Sequence, residues 1–238
     1  MKNKELWQPT LLNRNAKGRF TGTYMQKLVG YAYEPAIRNY AKGVLADVGC
    51  GSVPYYFLYE DLVEDNICID WGREDGEVSY LDHVADLNKD TIPLNTATVD
   101  SVLCTDVLEH ISNPDHLFAE IARIIKPGGH LILTVPFMYW LHDTPYDYHR
   151  YTKFKLMDFC NRNNFEVVSI NSYGGLPEII FDTVSKGFNT NYIPYRKFLL
   201  PVWNKLGRML YGSRMMKNIT NKTRDVMPLG YVLVAKKR

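Results

Sequence analysis

The chain lacks most of the features that announce a function. Its four cysteines, Cys50, Cys68, Cys104 and Cys160, form no CxxC pair and no His/Cys cluster with zinc spacing. They read as buried free thiols, the first three at or near predicted strand ends. No stretch approaches the roughly 18 unbroken apolar residues of a membrane span. The polar N-terminus, MKNKELWQPTLLNRN, has no apolar core of a secretory signal. A cytoplasmic, reducing setting is therefore expected. The net charge of +2 is too small to point by itself to nucleic acid or a membrane, and no nucleic-acid partner is expected. There is no internal repeat and no low-complexity segment.

What is present fits one large domain, or one domain with an elaboration: 238 residues, 46% apolar and 23% charged. A helical pattern, TYMQKLVGYAYEPAIRNYAKG, comes first, with Pro35 expected to kink or divide it. Short apolar runs then alternate with helical ones: residues 44–48, 66–70, a weak 83–87, 100–105, 130–135, 165–170 and 230–237. The clearest helix lies between the fourth and fifth runs. Asn113 caps it, Pro114 suits its first position, and Leu117, Ile121, Ile124 and Ile125 share a face. Another helix starts after Thr152 and carries Phe154, Met157 and Phe159. Alternation of this kind predicts a mostly parallel sheet with helices on both faces. Ligands then bind beyond the carboxyl ends of the strands, near the topological switch point.

The motifs gather on that edge. VLADVGCGSVPYY follows the first run with Gly49 and Gly51, but Pro54 stands where a dinucleotide fingerprint has its third glycine. NAD and FAD are disfavoured, and with them a nicotinamide reductase; the absence of a Gly-Lys-Ser/Thr sequence excludes a P-loop. Asp70 lies 19 residues beyond Gly51, at the end of the second run. An acid there can accept both hydroxyls of a ribose, and Trp71 can lie against an adenine.

Together, LADVGCGS, ICIDWG, VADLNK and DSVLCTDVLEHISNPDHLFAEIARIIKPGGHLILTVP resemble the class I S-adenosylmethionine-dependent methyltransferases, over roughly residues 43–170. The VLEHI stretch, followed by a helix, KPGG and a strand, is its most specific part. The branch it resembles is often found in bacterial glycan or small-metabolite pathways. The resemblance implies a Rossmann-like α/β fold: seven strands, six of them parallel, with an antiparallel last strand between the fifth and sixth. It also implies S-adenosyl-L-methionine as cofactor. Gly49, Cys50 and Gly51 would pass its methionine part, and Asp47 would help to hold the ammonium group. Asp70 would bind the ribose and Trp71 border the adenine. Asp86 would accept from the adenine amino group beside Leu87. Thr105 would line the methionine end, and His110 would stand near the pocket mouth. The departure from the family is Val53 in place of a small residue, with Pro54 expected to begin the next helix. The Glu109–His110 pair lacks a second histidine at helical spacing, so no metal is expected.

Methyl transfer needs alignment, and a base only if the acceptor loses a proton. The segment PFMYWLHDTPYDYHRYT, residues 136–152, supplies candidates. His142, His149 and Asp143 are the candidate catalytic residues; Tyr139, Tyr148 and Arg150 are the candidate acceptor contacts. A hydroxyl on a small molecule or sugar is the expected acceptor. A lipid-like or quinone acceptor, or a non-catalytic cofactor- or partner-binding module, is the alternative. The chain divides into an N-terminal helical lid (1–42), the cofactor-binding core (43–170), a helical insert covering the acceptor site (171–228) and the last strand (229–238). In the insert, Phe198, Leu199, Val202, Trp203, Leu206 and Leu210 make an apolar face beside Arg196, Lys197, Lys205 and Arg208. It reads as a pocket lid or core helix, as a homodimer contact, or as an interfacial contact with a membrane or lipid-linked acceptor. Pro201 is expected to break its helix.

Overall fold

The computed structural model describes residue 20 and residues 23–72, 80–189, 196–210 and 213–238. Most of the expected lid's polar lead-in, and the side chains of Arg196, Lys197 and Arg208, lie outside the described residues.

Seven strands form one sheet: β1 (Gly43–Val48), β2 (Val63–Asp70), β3 (His83–Val84), β4 (Val99–Thr105), β5 (Ile125–Pro136), β6 (Phe165–Tyr173) and β7 (Gly230–Lys237). Their spatial order is β3-β2-β1-β4-β5-β7-β6. The pairs among β1 to β5 are parallel, while β7 runs antiparallel between β5 and β6, with Leu133 opposite Leu233. This is the expected fold. The chain leaves β1 toward β2 on one side and returns through β4 on the other, so the switch point lies between β1 and β4.

Central strands buried on both faces need apolar side chains at every position. Residues 102–104 meet that need: Val102 and Cys104 join the core on one face and Leu103 joins the other. On the first face pack α2 (Pro114–Ile124) and α3 (Lys153–Arg162), with Phe118 and Phe159 stacked at 5.0 Å. Asn113 caps α2 through the His116 amide, and Thr152 caps α3 through that of Lys155. The face of α3 differs from expectation. Leu156, Phe159 and Cys160 are buried, whereas Phe154 is 70% exposed and Met157 38%. A period of 3.6 puts 156, 159 and 160 on one stripe and leaves 154 off it.

On the second face lies α1 (Tyr24–Tyr40), opened by a capping box between Thr23 and Gln26. It runs through Pro35 without dividing. Its buried residues fall on both sides of the proline, at Gly30 and Tyr33 and at Ala36 and Ile37, so core packing holds the two halves as one helix. Pro54 begins no helix. Proline bars the preceding residue from the right-handed helical region, and the buried Val53 sits at φ 54°. The chain then makes only a short 3-10 turn, Tyr56–Leu58.

Beyond β6, which extends three residues into the expected insert, come α4 (Leu176–Asn189), α5 (Arg196–Leu210) and α6 (Arg214–Thr223). Pro201 lies inside α5 and does not break it. Phe181 of α4 stacks on Trp203 of α5, whose indole N–H donates to Ser185 Oγ at 3.0 Å. No helix among the described residues is long and apolar enough to cross a membrane.

Candidate active site at the switch point

Three loops meet at the carboxyl ends of β1, β4 and β5. In the first, Gly49 and Gly51 both have positive φ, 73° and 52°, a region that costs other residues energy. They serve different ends. A Cβ on Gly49 would fall 2.4 Å from Val107 Cγ2, so Gly49 lets the β4 loop approach. A Cβ on Gly51 would meet nothing within 4 Å, so the open space lies there. Asp70 fixes this turn: one carboxylate oxygen accepts from Gly51 N at 2.7 Å and the other from Trp71 N at 2.7 Å. Asp47 is 3% exposed and accepts from the Tyr59 hydroxyl at 2.9 Å. Burial pushes its carboxyl up to about 7; the Tyr59 bond pulls the other way, and the Asp70 charge adds to the rise. Cys50 and the other three cysteines are buried free thiols, as expected.

Trp71 is half exposed, and its ring meets the edge of Tyr146 at 5.2 Å, which joins the cofactor side to the loop after β5. Asp86 accepts from the Asn88 amide and pairs with Lys89 at 3.1 Å, which hold its carboxyl low; Leu87 beside it is buried. Thr105 closes β4 opposite Thr134 of β5.

A polar cluster that sequence reasoning missed sits in the β4 loop. Asp106, at φ 54°, accepts from the Tyr33 hydroxyl at 2.7 and 2.9 Å and from Thr134 Oγ1 at 3.2 Å. The Tyr33 hydroxyl also lies 3.1 Å from that of Tyr173. These residues come from α1, β5 and β6, and nothing in a linear reading links them. Burial raises the Asp106 carboxyl and the Tyr33 and Tyr173 phenols.

Next to it, Glu109 is fully buried and neither carboxylate oxygen has a hydrogen-bond partner. Desolvation, then the Asp106 charge, push its carboxyl well up. The Glu109 carbonyl accepts from the amides of Tyr148 and His149, which fastens the β5 loop to the β4 loop. His110 and His142 meet edge to face at 4.7 Å. Asp143, 80% exposed at its side chain, places a carboxylate oxygen 3.9 Å from His110 Nε2.

The fold thus brings together His110, His142 and Asp143 but not His149. The His149 ring packs on Tyr151 at 5.3 Å, and its Nε2 is buried without a partner. Tyr151 belongs to the core under α3, which sets His149 behind the loop. Arg150 is held within the loop. Its guanidinium pairs with Asp147 and donates to the carbonyls of Tyr139, Trp140 and His149, so it braces the loop from within. Asp147 is held below the usual carboxylate range chiefly by that pair. Tyr139 and Tyr148 remain at the surface, 36% and 46% exposed. The Lys186 ammonium of α4 lies 3.1 Å from the centre of the Tyr139 ring, so the helical insert does rest on this loop.

Residues 46–133 match a family model described as a methyltransferase domain. Over those residues the chain resembles a methyltransferase domain, and its fold is that of S-adenosylmethionine-dependent methyltransferases. A ubiquinone biosynthesis O-methyltransferase of Vibrio parahaemolyticus is 30% identical over 118 residues, which is 44% of this chain and 48% of that protein. The match therefore spans about half the length of such relatives. Among solved structures, an S-adenosylmethionine-dependent methyltransferase from Archaeoglobus fulgidus superposes with a TM-score of 0.57 at 16% identity, over 91% of this chain and 95% of that one. The cyclase SpnF superposes with a TM-score of 0.59 at 18% identity, over 97% and 88%. At such identities the likeness is one of fold.

Proposed function

We propose that the protein transfers the methyl group of S-adenosylmethionine to a hydroxyl of a small-molecule or sugar acceptor, in a reducing, cytoplasmic setting. The observation that carries this reading is the open turn at Gly51, bordered by Asp70 and the buried Asp47, beside a loop bearing His142 and Asp143. The residues fit the methyl donor. Gly51 leaves room for backbone approach, Asp70 lies where a ribose would present its hydroxyls, and Trp71 offers a half-exposed ring for adenine. Asp47 is a buried carboxylate for an ammonium partner.

When bound, the donor supplies an electrophilic methyl carbon on a sulfonium. Gly51, Asp70, Trp71 and Asp47 would hold that donor with its methyl carbon in line with the acceptor oxygen. The protein aligns the two and takes the hydroxyl proton. His142 and Asp143 are the groups assigned to that proton. Arg150 and Asp147 hold their loop in place. The relatives' name, an O-methyltransferase, agrees with a hydroxyl acceptor.

A lipid-like or quinone acceptor is the second reading. It is favoured by the exposed Phe198, Val202, Leu206 and Met209 of α5. The test is to incubate the protein with labelled donor and host extract, with and without detergent, and identify the labelled product. A labelled polar metabolite supports the first reading, and a detergent-dependent labelled lipid the second. Donor binding without any S-adenosylhomocysteine formed would overturn both in favour of a binding module.

A further inference from the structure

We infer that Glu109, His110 and His142 form a binding site for a divalent first-row transition metal, placed to hold the acceptor's hydroxyl. The inference deepens the methyl-transfer reading and rests on it for the metal's role, though not for its binding.

The first observation is the Glu109 carboxylate itself. A buried carboxylate with no partner on either oxygen is costly and rare in a folded protein, and nothing in the core requires it. Its Oε1 is 3.8 Å from His110 Nε2 and 3.9 Å from His142 Nε2. One ligand atom from each of the three residues lies within 4.8 Å of the others. Metal–ligand bonds of about 2.0–2.2 Å separate neighbouring ligands by roughly 3.0–3.5 Å. Shortening the two Glu109–histidine separations by less than about 1 Å, and the remaining ligand separation by up to about 1.8 Å, would close the site.

The second observation concerns the far side of each imidazole, and it is independent of the first. A metal-bound histidine usually donates its other ring N–H to a carbonyl or carboxylate, which fixes the tautomer. Both rings here are held in that way. His110 Nδ1 lies 2.8 Å from the Tyr146 carbonyl oxygen. His142 Nδ1 lies 3.4 Å from its hydrogen-bond partner, the Trp140 carbonyl oxygen, with Asp147 Oδ2 also 3.2 Å away, and Asp147 is itself gripped by Arg150. With Nδ1 donating, both Nε2 atoms keep a lone pair, and both lie beside the orphaned carboxylate. Asp143, near His110 Nε2, offers a fourth ligand from the solvent side. Asp106 is not counted, because its oxygens already accept from Tyr33 and Thr134.

Two imidazoles with one or two carboxylates suit zinc, manganese or iron rather than the all-oxygen preference of magnesium and calcium. In the sequence only the Glu109–His110 pair stands out, because the second histidine comes from the loop after β5 rather than from the helical spacing of a metal motif. With a metal bound, His142 and Asp143 would serve as ligands in place of their role as bases: the metal would hold the acceptor oxygen and ease loss of its proton to water, so that the oxygen lone pair attacks the methyl carbon and the carbon–sulfur pair leaves to sulfur.

The test is calorimetry on the tag-free, EDTA-treated full chain, with zinc chloride and manganese chloride as probes. Binding of S-adenosylmethionine is measured on the same samples. One equivalent of zinc or manganese should bind. Glu109→Gln and His142→Ala should each abolish that binding, and Asp147→Asn should weaken it about 10–100-fold. His142 is partly exposed, so its variant is informative even if Glu109→Gln fails to fold. No stoichiometric binding by the wild type, or binding unchanged in His142→Ala, would overturn the site. Metal binding without donor binding would leave the site standing and sink the methyl-transfer reading. Donor binding without metal binding would do the reverse.

Discussion

Replacing Asp47 by asparagine should make the protein more stable at neutral and alkaline pH while weakening its hold on the methyl donor. Asp47 is 3% exposed, and its carboxyl is raised from 3.8 to about 7, mainly by burial. Below pH 3.8 both the folded and the unfolded chain hold the proton, and the group costs nothing. Between 3.8 and about 7 only the unfolded chain releases it, so stability falls as pH rises. Above about 7 the deficit is constant. Three units at about 1.4 kcal/mol each make it about 4 kcal/mol. Asparagine keeps an oxygen for the Tyr59 hydroxyl but carries no charge to desolvate, so the variant should recover much of that loss.

Urea denaturation of both proteins across this window reads the effect as a difference that grows with pH. Calorimetric titration with S-adenosylmethionine reads the other half. An ammonium brought beside Asp47 should drive proton release near pH 6, visible as a dependence of the binding enthalpy on the buffer. Parallel stability curves for wild type and variant would refute the burial argument. A variant more stable than wild type that binds the donor just as tightly would refute the functional one.

The two loop glycines should respond differently to alanine. Gly49→Ala combines a left-handed backbone with a Cβ 2.4 Å from Val107, and should cost more than about 2 kcal/mol in denaturation. Gly51→Ala meets no atom, so it should cost about 1–2 kcal/mol and show mainly as lost donor affinity. Arg150→Ala leaves the Asp147 carboxylate, its side chain 1% exposed, with only the His142 amide and imidazole beside it, and should cost about 2 kcal/mol at neutral pH. Because Arg150 holds that carboxyl low, the pair's contribution is complete above the ordinary carboxylate range and is lost as pH falls through the depressed value. Acid denaturation of the wild type and the variant should therefore converge at low pH. Gly207→Ala would put a Cβ 2.1 Å from the Phe181 ring, and should loosen α5 from α4; faster proteolysis within α5, with donor binding intact, is the expected result.

The sheet could be read from the chain because strand burial is a local property. Each of the seven apolar runs became a strand, and the specific VLEHI–KPGG stretch fell at β4, α2 and β5. Errors arose where tertiary packing overrode a local signal. Pro35 and Pro201 both lie inside continuous helices, and for α1 the buried residues on either side of Pro35 explain it. The places of Gly49, Gly51, Asp70, Asp86 and Thr105 in the fold were legible because they follow strand ends in order. Much of the acceptor side was not. Tyr33 is separated from Asp106 and Tyr173 by 73 and 140 residues along the chain, and the carbonyls that Arg150 reaches are fixed only by the folded loop. Glu109 was visible in sequence, but its lack of partners is a property of the folded loops alone.

The missing third glycine also acquires a physical reason. A dinucleotide's pyrophosphate needs a helix N-terminus, with free amides and a positive dipole end. Here the left-handed Val53 and Pro54 allow only a 3-10 turn after the loop, so no such end exists. The same edge carries Asp47, Asp70, Asp86, Asp106 and Glu109 at or just beyond the ends of β1 to β4. Among these, Asp86 has a lysine partner and Asp106 rests on tyrosine and threonine hydroxyls. Burial holds Asp47, Asp106 and Glu109 toward their neutral forms, and an arriving cation would relieve that cost, so the edge favours a ligand with net positive charge over a pyrophosphate. A sulfonium that also carries an ammonium has that charge, whereas a dinucleotide does not. Loop geometry and edge charge therefore select against a dinucleotide independently, and restoring glycine at position 54 would remove only the first of the two barriers.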